Sequence, residues 1–407
     1  MTLREQRIMR GFRSWATAFA LVLSWTNGES AVRFANNTPG AARPGLVFSS
    51  LQAAIDSSKA GDTVYVVPTP TDYGPNNQSP VLLYRKLAVF GIGFSPPQRD
   101  QSVLSRCSYL SIYVPGPGNG DTDPSGSVVS GLAMYVLNLQ TTNSAGQLHD
   151  VVIEKDSIYS QIGDGGSTQS LNKITIRYNK VMFNGIQFQN APLTSSLIYN
   201  NVLNHVVLGS AASVRNIISN NIMVMGSGGA TYYFIDMAGS NIICNNVFAN
   251  AKQVYQRMVG GLFCNNIIYG PGTSYYPAYS SFEQNTFSNN IVAALLAPAD
   301  TLMPPAGTGA GNIGSGNLNV VPQFRSGSVN ATTLTIGLND FQLAGTPASN
   351  PAFNGGTDNT DIGLSGGPYP WYSNWYATSF PIMRSLSLNS IIRIGDSLRV
   401  TIKATGQ

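Results

Sequence analysis

The sequence predicts an all-β chain wound as a parallel β-helix, a solenoid of about 22 residues per coil with a short capping helix near its N-terminal end. Three observations lead there. An apolar run followed by two asparagines recurs as LIYNNVL (197–203), IISNNIM (217–223), IICNNVF (242–248), GLFCNNIIYG (261–270) and TFSNNIVA (286–293). The apolar runs are three to five residues long and rich in Ile, Val, Phe and Tyr, which is strand length and strand composition. Only 10% of the 407 residues are charged, while Gly (42) and Pro (23) are abundant, as suits an extended, turn-rich architecture and not a helical bundle.

Aligned on the first asparagine of each pair, the repeat positions are Asn200, Asn220, Asn245, Asn265 and Asn289, with Asn179 of IRYNKVM as an earlier member. The steps are 21, 20, 25, 20 and 24 residues, averaging 22. A leucine-rich repeat of this period needs fixed leucines and a helical half, and a propeller blade needs about twice the length. What remains is a coil of three short strands, in which equivalent positions stack about 4.8 Å apart. Stacked asparagines can hydrogen-bond along the column and tolerate left-handed backbone at a tight turn, so these six read as a structural ladder. The functional alternative is a polar groove that grips sugar hydroxyls.

The flanking segments divide the chain. Residues 1–30 read as an export signal: Arg4, Arg7, Arg10 and Arg13 precede the apolar run WATAFALVLSW (15–25), and Gly28 and Ser30 would occupy −3 and −1 of a cut before Ala31. The apolar run is too short for a bilayer-spanning helix. The net charge of +4 drops to about +2 without these residues, and no basic patch suggests nucleic acid. Residues 31–371 form the β-helix, with a cap helix at about 47–60 in VFSSLQAAIDSSKAGDTVYVV. Ser49 or Ser50 caps it, Leu51, Ala54 and Ile55 share its apolar face, and Gly61 stops it before the strand TVYVV. KLAVFGIGF (86–94) and YLSIYV (109–114) are early coils, interrupted by the loop PGPGNGDTDPSG (115–126). Residues 372–407 alternate apolar and polar around IGD, as two strands of a far-end cap or a small appendage.

Cys107, Cys244 and Cys264 do not make a disulfide framework. Cys244 and Cys264 precede successive asparagine pairs and stack one coil apart. A disulfide fits that spacing, but the buried column favours two free thiols acting as small hydrophobes.

Taken together, SLQAAIDSSKAGDTVYVV, the asparagine-pair repeat, and NLNVVPQF (317–324) with DFQLAGTPASNPAF and TDIGLSGGPYPW (340–371) resemble the exported right-handed β-helix proteins of the pectin-lyase-like fold, particularly those of Bacteroidetes-type bacteria. The match covers roughly residues 45–371. It implies a right-handed coil and closing coils at 317–371. It does not imply one activity, because the fold serves lyases, hydrolases, epimerases and adhesins.

The chemistry expected of such a fold is sparse here. A lyase needs a Lys or Arg base beside a uronate carboxylate and a cation to stabilise the carbanion. A hydrolase needs converging carboxylates. Residues 150–300 hold only Asp150, Glu154, Asp156, Asp164, Asp236, Glu283 and Asp300, with no pair one coil apart within the asparagine repeats. The best cluster joins Asp236, Tyr232 and Tyr233 to Lys252, Tyr255 and Arg257 of the next coil. Its tyrosines offer faces for sugar rings, and Lys252 or Arg257 is the candidate base if the chain is a lyase. A lone carboxylate makes a poor Ca²⁺ site, so no metal or cofactor is expected.

His205, within YNNVLNHVV, reads as a ladder residue, and His149 adjoins Asp150 without a nucleophile. GAGNIG (309–314) fits G-x-G-x-x-G but lacks a strand-helix context, so it reads as a loop. DTD (121–123) and TDNTD (357–361) read as Asx turns. The expected function is therefore a secreted, periplasmic or cell-surface β-helix, non-catalytic and glycan-binding or structural. The alternative is a lyase acting on an acidic polysaccharide. The expected partner is extracellular polysaccharide, with no nucleic acid, no membrane span and a monomeric state.

Overall fold

The computed structural model describes residues 30–74, 79–93, 104–115, 123–141, 146–224, 233–249, 253–269, 282–292, 311–325, 341–371, 382–388 and 400–405. The export segment lies outside the described residues except for Ser30. Two long parallel sheets, one of thirteen strands and one of fifteen, run along a solenoid. A short third sheet joins Leu148–His149, Leu171–Asn172 and Leu193–Thr194. The protein is all-β and parallel, with almost no helix.

Each coil gives one strand to the first sheet, so hydrogen-bonded neighbours lie one coil apart in sequence. Ile153, Ile176, Ile198, Ile218, Ile243, Phe263 and Phe287 pair in succession and are all 0% exposed. Burying each such side chain contributes roughly 2 kcal/mol. In the later coils Phe234, Phe248, Phe263 and Phe287 stack through the core at centroid spacings of 5.5, 5.6 and 5.7 Å.

Each coil turns twice through left-handed backbone. One corner uses Asp150, Lys173, Ser195, Arg215 and Gln284, and the other uses Lys155, Tyr178, Asn200, Asn220, Asn245, Asn265 and Asn289, with φ between 51° and 61°. That conformation costs an L-residue on the order of 1 kcal/mol, least for asparagine, which explains the preference at the second corner.

The ladder runs through a different set of asparagines from the one the repeat alignment suggests. Asn179, Asn201, Asn221, Asn246, Asn266, Asn290 and Asn317 form a continuous chain, each Nδ2 donating to the next Oδ1 at 2.9–3.1 Å. Apart from Asn179, these are the second asparagines of the pairs and Asn317 of the last coil. The assignment of Asn200, Asn220, Asn245, Asn265 and Asn289 to the ladder is corrected: their positive φ turns the side chain outward. Asn179 is the equivalent of Asn201, and Tyr178 is the equivalent of Asn200. A second inner column lies at the other corner, where Asn216 donates to Asn241 (2.9 Å) and Asn285 to Asn312 (3.0 Å).

The outward asparagines hold a strap. Residues 341–371 join neither long sheet and lie along the outside of the solenoid. Asn289 donates to Gly355 O (2.8 Å), Asn245 to Asp361 O (3.2 Å) and Asn220 to Gly366 O (2.8 Å), while Thr357 N donates to Asn265 Oδ1 (2.9 Å). With its amide oriented to satisfy both groups, Asn200 donates to Tyr369 O (3.0 Å). Higher strap numbers meet lower coil numbers, so the segment runs back against the direction of coil growth. Beneath it, Val202, Ile222, Val247, Ile267 and Ile291 pack with Phe341, Leu343, Ile362 and Leu364 in a second apolar cluster. Residues 341–371 are thus not closing coils. The coils continue to Leu318, which bridges Ile291, and GAGNIG is not a loop throughout: Ile313–Ser315 is a strand of the first sheet.

The cap helix is Leu51–Asp56, shorter than 47–60, because Val47–Phe48 instead pairs with Phe34 and Ala35 as a strand. Ser50 Oγ accepts from Ala53 N (3.1 Å), and Leu51, Ala54 and Ile55 are buried at the start of the core. Cys244 and Cys264 are joined by a disulfide, which corrects the free-thiol reading; their Cα atoms are 4.6 Å apart as strand neighbours on the outer face. Cys107 is buried and free, its thiol pushed up by desolvation. Ile382–Leu388 and Val400–Thr405 form an antiparallel pair.

Candidate functional site

Asp236 and Arg257 meet in adjacent strands of the second sheet, across a β-bulge after Ile235. Arg257 holds Asp236 in a two-pronged ion pair, Nη2 to Oδ2 at 3.0 Å and Nε to Oδ1 at 2.5 Å. Asp236 is 5% exposed, and Val207 occupies the coil before it in the same register. A guanidinium fixed on a buried carboxylate is a structural tie. Tyr233 and Tyr255 lie in the two paired strands, whereas Tyr232 and Lys252 lie outside the described residues. The structure therefore brings Asp236 and Arg257 together and leaves their aromatic and lysine companions unplaced as a site.

His205 is fully buried, with Nε2 2.9 Å from Gln187 Nε2, and burial pushes its pKa down to about 4. It is a neutral core group. His149 Nδ1 lies 2.8 Å from Asp150 Oδ2 on the surface. Asp123 and Asp358 each accept a backbone N–H two residues on, from Ser125 (2.8 Å) and Thr360 (3.2 Å), as Asx turns do. On the outer face of the first sheet, Arg177 binds Glu154 Oε2 (2.7 Å) and Tyr199 OH (2.9 Å), and Tyr199 stacks on Tyr369 of the strap at 4.3 Å. A cavity of about 810 Å³ is lined by Arg325 and strap residues that include Gln342 and Trp371, with Asp361 as its one carboxylate among the described residues. Among the described residues, paired-carboxylate hydrolysis has no second acid there.

One surface feature falls outside every sequence expectation. Tyr109, Tyr135, Tyr159 and Phe183 stand in four successive coils on the second sheet and its bends. Their rings follow one another up the solenoid at centroid spacings of 5.5, 5.5 and 6.2 Å, the first pair tilted at 49° and the last two stacked nearly parallel at 22° and 12°. Tyr135, Tyr159 and Phe183 are 42%, 53% and 48% exposed. Stacking a ring per coil stabilises each neighbour by about 1 kcal/mol, yet about half of each of the last three side chains remains in water. The column ends at Asn204, which is 3% exposed and donates to Phe183 O (2.9 Å). The spacings 135, 159 and 183 are 24 residues each, a step that could have been read from the sequence. It escaped notice because these coils precede the asparagine pairs that set the alignment.

The fold defines a class, the parallel β-solenoids, and the comparisons add likeness without a family. No family model matches the chain, and no curated protein matches it. Among solved structures, the DFA-IIIase of Arthrobacter chlorophenolicus A6 in complex with GF2 is 14% identical, covering 71% of this chain and 88% of that one at a TM-score of 0.36. The same enzyme without its lid is 13% identical, covering 71% and 89% at 0.33.

Proposed function

We propose that this protein is a non-catalytic, exported glycan-binding solenoid, whose binding face is the exposed aromatic column of Tyr109, Tyr135, Tyr159 and Phe183. The column carries the reading. Four aromatic rings stacked in a straight line present a continuous apolar ridge to the C–H groups of sugar rings, while the tyrosine hydroxyls and neighbouring amides serve the sugar hydroxyls. Contiguous exposed apolar surface of this kind marks an interaction site. Catalysis has less support: Arg257 is held by Asp236, and among the described residues no carboxylate pair faces a groove. Export is supported by the Arg-led apolar N-terminal segment and by the Cys244–Cys264 bond, which persists in oxidising compartments. Membership among pectin-lyase-like proteins of Bacteroidetes-type bacteria belongs to the same proposal.

The test is co-sedimentation of residues 31–407 with a panel of insoluble polysaccharides, run beside ultraviolet absorbance on pectate, alginate and sulfated uronans. The reading expects retention on at least one glycan and no unsaturated product. Unsaturated product that vanishes in Arg257→Ala would install the lyase reading instead.

A further inference from the structure

We infer that the cavity at the strap is a binding site for a small neutral sugar. It is a site apart from the aromatic column and stands or falls separately. The cavity holds about 810 Å³, inside the range of roughly 300–1,000 Å³ in which proteins enclose small ligands. Leu343 is buried and forms its floor, Gln342, Phe353, Asp361 and Trp371 are half-buried walls, and Arg325 and Ser365 are exposed at its mouth.

The lining is built before any ligand arrives. Phe324 and Leu343 bridge as antiparallel neighbours, with Arg325 N donating to Gln342 O (2.9 Å) and Ala344 N to Gln323 O (2.8 Å). Within the strap, Ile362 N donates to Ala352 O (2.7 Å) and Trp371 N to Leu364 O (2.8 Å). Asp361 is fixed twice: its Oδ1 accepts from Asn354 N (3.1 Å), and its backbone O accepts from Asn245 of the solenoid (3.2 Å). A fixed lining spares the complex the cost of ordering it.

The class of ligand follows from what the lining leaves unfilled. Arg325 Nη1 donates to Gln342 Oε1 (3.0 Å). Among the described residues, Arg325 Nη2, Gln342 Nε2, the Ser365 hydroxyl and Asp361 Oδ2 have no protein partner. These groups both donate and accept, and Phe353 and Trp371 add apolar ring surface beside them. Sugar hydroxyls on a C–H framework answer all of these at once. One guanidinium and one carboxylate leave the lining without net charge. A carboxylate or phosphate would therefore meet Asp361, and an ammonium would meet Arg325.

Trp371 is a built-in reporter. Trp15 and Trp25 lie in residues 1–30, so residues 31–407 keep only Trp371 and Trp375, and Trp375→Phe leaves one indole. Emission of that protein is titrated with glucose, galactose, fructose, xylose, cellobiose, sucrose and lactose, and with glucuronate and alanine as charged probes. Isothermal titration of the mature chain without the Trp375 change runs beside it. At least one neutral sugar should change Trp371 emission saturably. Asp361→Asn, which keeps the acceptor for Asn354, and Arg325→Gln should each weaken that sugar about tenfold, through loss of a charged hydrogen bond. No emission change and no heat with any of these sugars overturns the site. Equal affinity in both variants, or loss of binding in Tyr159→Ala, puts the sugar on another surface and overturns it too. Tighter binding of glucuronate or alanine overturns the neutral ligand.

Discussion

Asn220 and Asn221 are neighbours in sequence and serve opposite sides of the wall. Asn220 turns outward at φ 54° and donates to Leu364 O (3.0 Å) and Gly366 O (2.8 Å) of the strap. Asn221 turns inward and donates to Ile198 O (2.8 Å) and Asn246 Oδ1 (3.0 Å). The pair thus joins two structures, an inner polar ladder and an outer return segment, and neither role can be exchanged.

Substituting the two residues should separate these roles. Asn221→Ala orphans the buried N–H donors of Asn201 and is expected to cost on the order of 3 kcal/mol in denaturant unfolding. Asn220→Gly keeps the left-handed turn and should cost less than about 1 kcal/mol. Its mark should be faster hydrogen exchange in residues 361–369, with the coils unchanged. Equal losses from both variants would show that the pair acts as one unit.

Asp156 occupies the ladder position before Asn179 and is fully buried. Its Oδ1 accepts from Leu132 N (2.7 Å), while Oδ2 has no partner among the described residues, where an asparagine would present a donor. Desolvation raises its pKa well above the carboxylate range. The folded state therefore holds the proton longer than the unfolded chain, and stability should fall as pH rises from about 4 toward the folded value. Asp156→Asn should remove that slope and stabilise the protein by about 1 kcal/mol at pH 7. Thermal midpoints across pH 4–8 for both proteins check it, and a parallel pair of curves would show the carboxyl to be ionised in the fold.

The Cys244–Cys264 bond closes a single coil with a sequence separation of 20. Reduction, or the double Cys→Ala variant, should lose about 3 kcal/mol while keeping the β-sheet circular dichroism. No change in the unfolding midpoint under reductant would mean that the strand pairing alone holds these coils.

Arg257→Ala leaves Asp236 buried without its guanidinium. Because Arg257 itself is partly exposed (35%), the expected cost is about 2 kcal/mol of stability with glycan retention intact. Loss of retention at unchanged stability would move the binding face to that coil.

The fold was legible because the period and strand composition of the repeats admit few architectures, and the cap helix was legible from Ser50, Leu51, Ala54 and Ile55. The inner and outer asparagines were not separable, since both are small amides and only the sign of φ sends one outward. The strap at 341–371 looked like more coils because its apolar residues cover the flank of the solenoid instead of filling its centre. The disulfide was undecidable from spacing, because thiols and a bonded pair fit the same two registers. The aromatic column was missed for a plainer reason: Tyr109, Tyr135, Tyr159 and Phe183 sit in coils that lack the paired asparagines used for alignment.

The most direct test of the central claim is affinity electrophoresis of the mature chain and of a Tyr135→Ala, Tyr159→Ala double variant in gels cast with a panel of neutral and acidic polysaccharides. Both residues are exposed, so each substitution should cost no more than about 0.5 kcal/mol of stability. The account predicts that at least one polysaccharide retards the native protein and that the variant migrates as if the gel were empty. Equal retardation of both proteins would contradict it.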